Sequence, residues 1–155
     1  MCIYLDTNHC SFVFVQKDLQ VIQKLESLDV GSEVTINSII YGELELMIEK
    51  SERKRENRIL FDEFIKRIRV YPIDKETARI YGKFHSEIFE KFAQKDKAKR
   101  RKFDIKEAGV QVHDLWIACT ALQYGLIIVS EDSDFKVMNQ VRNLSMECWK
   151  TYSQM

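Results

Sequence analysis

Acidic residues punctuate this chain where a parallel α/β sheet would gather them. Asp6 follows the apolar run Cys2-Ile3-Tyr4-Leu5, and the pair Asp132 and Asp134 follows Leu126-Ile127-Ile128-Val129. Glu43 and Asp114 fall on the apolar faces of two predicted helices. A carboxylate on a face meant for burial is costly unless it is paired or binds a cation. Several such groups converging would repel one another, and a divalent cation relieves that repulsion. The pattern points to a hard-metal site and so to phosphate chemistry.

Each acid also has a plainer reading. Asp6, Thr7 or Asn8 can cap the first helix, and Asp132 or Asp134 can cap the last short one. Asp114 stands in a first helical turn, where the dipole favours an acid. It shares its face with Ile117, Ala118 and Ala121, and the alanines let the helix approach the sheet closely. Glu43 follows the stripe Ile36, Ile39, Ile40 and Met47, and can pair with a lysine at the core boundary. Taken together, in this order and at strand ends, the acids read as one metal centre.

The elements that would position them alternate. Residues 2–5, 34–36, 70–71, 126–129 and 145–149 read as short strands. Helices are expected over 8–15, 19–28, 38–50, 52–68, 74–95, 112–124 and 134–139, with Ser38 and Asp74 as N-caps and Gly125 just past a C-terminus. Residues 95–106 read as a polar loop or a frayed helix end. Alternation of this kind implies a central parallel sheet of about five strands in a three-layer α/β/α fold. Sites in such sheets lie at the carboxyl ends of the strands.

The 155 residues suit one domain, 1–155. One proline and five glycines disfavour an all-β sandwich and leave no room for a flexible linker. Four scattered cysteines without a Cys-x-x-Cys spacing read as reduced thiols of a cytoplasmic protein. No basic n-region precedes the first apolar run, and no run is long enough to span a membrane. His9, His85 and His113 show no zinc spacing, and no glycine-rich phosphate loop is present.

Net charge is zero, so nucleic-acid binding would need local patches. Between Ala93 and Lys106 seven basic residues and two acids give a segment of +5, feeding into the helix that carries Asp114. Within it Lys99, Arg100, Arg101 and Lys102 are the candidate contacts to a phosphate backbone. A second cluster is Lys50, Arg53, Lys54, Arg55 and Arg58. Either run can equally be a solvated face.

Tyr4-Leu5-Asp6-Thr7-Asn8 resembles the opening motif of PIN-domain nucleases, and Tyr41-Gly42-Glu43-Leu44 resembles their second. Residues Asp114 to Leu122 resemble the helix bearing the third acid. Val129-Ser130-Glu131-Asp132-Ser133-Asp134-Phe135 resembles the last motif, and Met146-Glu147-Cys148-Trp149 the terminal strand. The ordered set covers nearly the whole chain and is most similar to VapC-like toxins of toxin–antitoxin pairs. The resemblance implies that Asp6, Glu43, Asp114 and Asp132 or Asp134 bind Mg²⁺ or Mn²⁺, with Thr7, Asn8 and Ser130 in support. It implies metal-assisted hydrolysis of RNA that leaves 5′-phosphate and 3′-hydroxyl ends, a cognate antitoxin and a homodimer. Two departures stand out: a longer, more basic segment before Asp114, and His113 where asparagine is common. Phe12, Phe14, Val15 and the Ile40/Leu44/Leu46/Ile48 set offer more apolar surface than one sheet contact needs, so part of it is expected at an interface.

Other readings remain. A housekeeping PIN ribonuclease differs from a toxin only in its genetic context. A non-catalytic α/β module would bind RNA or protein without the intact acid set. A receiver-type signalling domain would need adjacent acids after its first strand, where Asp6 stands alone, and an acceptor aspartate after its third, where Pro72 follows Tyr71.

Overall fold

In the computed structural model, which describes residues 1–152, five strands form one sheet in the order β3-β2-β1-β4-β5 with every neighbour parallel. The strands are β1 (Cys2–Leu5), β2 (Glu33–Asn37), β3 (Arg69–Tyr71), β4 (Ile127–Val129) and β5 (Met146–Glu147). Helices flank the sheet: α1 (Thr7–Phe14), α2 (Leu19–Glu26), α3 (Ser38–Lys50), α4 (Lys54–Ile65), α5 (Lys75–Phe92), α6 (Lys97–Lys102), α7 (Val112–Tyr124) and α8 (Ser133–Asn139). The expected α/β architecture and its parallel sheet are therefore present. β1 lies at the centre, flanked on both sides, and its Ile3, Tyr4 and Leu5 are fully buried. Among the described residues no helix is long and apolar enough to cross a membrane.

Several local expectations shift. Asn37, not Ser38, caps α3: it has extended backbone (φ −119°), and its side chain accepts from the Ile40 amide at 3.0 Å. The buried stripe of α3 is Ile40, Leu44 and Ile48, while Ile39 and Met47 are only partly covered. Residues 95–106 are not a plain loop. Asp96 caps α6 by accepting from the Lys99 amide, and a 3₁₀ turn follows over Ile105–Ala108. Asp74 and Thr77 form a reciprocal capping box at the start of α5, a device worth about 1 kcal/mol.

The apolar surplus is used internally for the most part. Phe12, Phe14, Ile40, Leu44 and Ile48 are buried, Val15 is half-buried, and only Leu46 stands out, 54% exposed. The physical reason is the packing of α1, α3 and α4 on one another, where Phe14 meets Phe61 and Phe64 at ring distances of 5.8 and 5.3 Å.

α5 and α7 run antiparallel. Gln123, near the end of α7, donates to Asp74 at the start of α5, and Tyr81 stacks on Trp116 at 4.0 Å. Both pairs keep one register, which sets Val112 opposite His85. α5 then continues seven more residues to Phe92, about 10 Å at the helical rise. The basic α6 thus begins beyond the N-terminal end of α7.

Candidate active site

Because every strand runs the same way, the residues just past Leu5 and Val129 meet at one edge of the sheet. The Asp6 amide donates to the Val129 carbonyl at 3.2 Å, locking the two strand ends together. A cavity of about 250 Å³ opens there, lined by Asp6, Thr7, Asn8, Glu43, His113, Asp114, Ile117, Asp132 and Phe135. Four of the five sequence-assigned acids share it. The fifth, Asp134, lies beside it: Asp114, Asp132 and Asp134 each present an oxygen within 4.8 Å of the others.

The plainer roles and the metal-centre geometry coexist. Asp6 does cap α1, accepting from the His9 amide at 2.8 Å. Asp132 caps α8, accepting from the Asp134 amide at 2.9 Å. Asp134 accepts from the Gln111 amide at 2.7 Å, which pins the entry to α7 and so the position of Asp114. Glu43, half-buried on α3, accepts a hydrogen bond from the Thr7 hydroxyl. Ser130 donates to Asp6 Oδ2 and accepts from the Asp132 amide at 3.0 Å. Asn8 lines the cavity and is exposed.

Electrostatics carry the sign of a cation site. Asp6 and Asp114 are only 6% and 8% exposed. The Asp114 carboxyl is pushed up to about 8, first by burial, then by a hydrogen bond with Asp134 and by the charges of Asp132, Asp134 and Glu43. Asp132 is raised as well, first by burial and then by the charges of Asp134 and Asp6. Among the described residues no lysine or arginine lines the cavity to offset these acids. His113 lines it, with Nε2 3.5 Å from Glu43 Oε1 and 3.7 Å from Asp114 Oδ2. An all-carboxylate set without sulfur suits a hard divalent cation.

Sequence reading missed two contacts. His9 Nδ1 lies 2.9 Å from Asp6 Oδ1, with the ring fully buried. Asn37 Nδ2 donates to Thr120 Oγ1 at 2.9 Å, tying the start of α3 to the middle of α7. Spacing of three residues offered a faint signal for the first, and nothing in the sequence signalled the second.

The basic segment divides. Lys99, Arg101 and Lys102 are exposed, whereas Arg100 pairs with Glu90 at 2.7 Å and lies over the Phe89 ring. In the second cluster Arg58 pairs with Glu45 at 2.7 Å, and Lys54 pairs with Glu49.

Fold and cavity together define an α/β protein with a carboxylate centre at the carboxyl edge of a five-stranded parallel sheet. The PIN-domain family model matches residues 3–140, and the chain belongs to that family. It is similar to Ribonuclease VapC2 of Rickettsia felis, 24% identical over 149 residues that span 96% of this chain and 98% of the relative. Its fold is similar to that of VapBC2 from Rickettsia felis bound to a DNA fragment from their promoter. There the TM-score is 0.76 at 24% identity, covering 97% of this chain and 100% of that one. VapBC-5 from Mycobacterium tuberculosis, a member of the VapBC family of toxin–antitoxin systems, gives 0.62 at 19% identity, with 97% and 98% covered.

Proposed function

We propose that this chain, as a single nuclease domain over 1–155, is a metal-dependent endoribonuclease and the toxin of a VapBC-type pair. The observation that carries the reading is the meeting of Asp6, Glu43, Asp114 and Asp132 in one cavity of a PIN-family fold, with Asp134 alongside. Asp6, Glu43, Asp114, Asp132 and Asp134 would hold Mg²⁺ or Mn²⁺. When bound, the cation supplies Lewis-acid activation of the attacking water and neutralises charge on the leaving oxygen.

The chain's own residues prepare that chemistry. Ser130 and His9 fix the Asp6 carboxylate, Thr7 fixes Glu43, and the Gln111 amide fixes Asp134. Such hydrogen bonds set the ligand directions before substrate arrives. Ile117 and Phe135 give the cavity its apolar wall. Lys99, Arg101 and Lys102, exposed beyond the start of α7, are suited to an RNA backbone, with Arg100 holding α6 to α5. A ribonuclease name among relatives and a set of VapBC structures support an RNA substrate and an antitoxin partner. A homodimer and a cytoplasmic location belong to the same reading.

Expression of the chain alone tests it. Growth should arrest with the wild-type chain and continue with Asp6→Asn. Healthy growth with soluble wild-type protein that cleaves RNA in vitro would favour a housekeeping PIN ribonuclease. A protein without cleavage activity would leave the non-catalytic binding module.

A further inference from the structure

His9 occupies an unusual place for a polar side chain. It is fully buried on α1, its ring edge-on to Phe12 at 5.3 Å. Among the described residues its Nε2 has no hydrogen-bond partner. Leucine or isoleucine would fill such a position without leaving a buried nitrogen unpaired, an arrangement that ordinarily costs stability. Packing alone therefore does not account for histidine here.

The other nitrogen does. Nδ1 faces Asp6 Oδ1 at 2.9 Å, and the backbone amide of the same residue donates to the same oxygen at 2.8 Å. A carboxylate only accepts, so the ring proton lies on Nδ1. Each carboxylate oxygen has about two acceptor positions. Both positions of Oδ1 are thus taken by His9, while Oδ2 accepts one hydrogen bond, from Ser130. The remaining ligand capacity of Asp6 rests on Oδ2.

We infer that His9 is a positioning residue for the metal centre: it occupies Oδ1 of Asp6, fixes the plane of the carboxylate and leaves Oδ2 as the oxygen offered to the cation. The inference rests on the metal-dependent reading of the cavity and adds to it a determinant outside the cavity wall. His9 is fully buried and is not among the cavity-lining residues. Its effect passes through Asp6.

The test uses the full chain freed of metal and titrated with Mn²⁺, binding being followed by calorimetry, with kcat and KM on a single-stranded RNA measured alongside. His9→Leu keeps the bulk and removes the donor. It should weaken Mn²⁺ binding by about 10–100-fold, the usual effect of losing a group that orients a ligand. Its kcat at fixed Mn²⁺ should fall while KM for RNA stays within about twofold, and added Mn²⁺ should recover part of the loss. His9→Asn places an amide nitrogen near the position of Nδ1 and should restore most of the affinity. A merely structural role would give no such rescue and no split between kcat and KM.

If His9→Leu does not fold, His9→Gln carries the test. Its amide reaches toward the place of Nε2 instead, so Mn²⁺ affinity should still drop. Wild-type affinity in His9→Leu or His9→Gln, or equal losses in His9→Leu and His9→Asn, would overturn the inference while leaving the metal site standing. A wild-type chain that takes up no Mn²⁺ would overturn both.

Discussion

The Ser130 hydroxyl donates a hydrogen bond to Asp6 across 124 positions of sequence, joining the ends of two neighbouring strands. The contact exists because β1 and β4 pair in parallel, with Leu5 beside Val129. Ser130→Ala removes the donor and leaves the strand register alone. Divalent-cation affinity should fall by about tenfold or more, and Ser130→Thr should hold it near wild type. Calorimetric titration with Mn²⁺ checks both. Equal affinity in the alanine variant would mean that Asp6 is oriented without Ser130.

Crowded carboxylates make a second expectation. Above about pH 8, where Asp114 carries its charge in the folded chain, Asp114→Asn removes one negative charge from a buried acidic group. The metal-free variant should melt higher than metal-free wild type. About 1 kcal/mol of relieved repulsion moves the midpoint of a chain this size by roughly 2–4 °C. Mg²⁺ should raise the midpoint of wild type and leave that of the variant nearly unchanged, and RNA cleavage should be lost. A variant that is less stable than wild type without metal would argue against mutual repulsion at this site.

The same group gives a pH dependence. Asp114 has an ordinary value of 3.8 and is raised to about 8 in the folded chain. Between these values the folded state holds a proton that the unfolded state has released, so stability falls as pH rises. The contribution is fully present below pH 3.8 and is lost as pH passes through about 8. Metal-free wild type should therefore lose thermal stability from pH 5 to pH 8 more steeply than Asp114→Asn. Parallel curves for the two proteins would remove Asp114 as the cause.

For the basic helix, replacing Lys99, Arg101 and Lys102 with alanine should weaken RNA binding and flatten its salt dependence. Each lost phosphate contact lowers the log–log slope by about 0.7 for single strands, or roughly 2 for all three. Arg100→Ala should instead loosen α6 from Glu90 and Phe89, which hydrogen exchange in α6 would report. An unchanged slope in the triple variant would return the segment to a solvated face.

What could be read from sequence follows from range. Asp6 stood out because it ends a four-residue apolar run, although a helix cap was an equally local use for it. Asp114 was visible because small residues lie behind it on α7. The helix cap at Asn37 was misplaced by one residue: asparagine and serine both cap well, and only the extended backbone at Asn37 decides between them. The helix α6 was hidden because six residues of lysine, arginine and alanine carry no apolar period. Its form comes from Asp96 at one end and from Arg100 reaching back to Glu90. The contact of His9 was only faintly legible, because a buried histidine three residues from an acid fits an ordinary core until its ring is seen turned onto Asp6. The contact of Asp134 with Gln111 depends on how α8 and the entry to α7 meet, which no local pattern encodes.

The most direct measurement is end-analysis of RNA incubated with the purified, metal-stripped chain, with and without added Mg²⁺ or Mn²⁺, alongside Asp6→Asn. Cleavage should appear only with added cation, leave 5′-phosphate and 3′-hydroxyl ends, and be absent in Asp6→Asn at every cation concentration. Cleavage that persists in excess chelator, that leaves 2′,3′-cyclic phosphate ends, or that survives in Asp6→Asn would contradict a carboxylate-held metal as the centre of the activity.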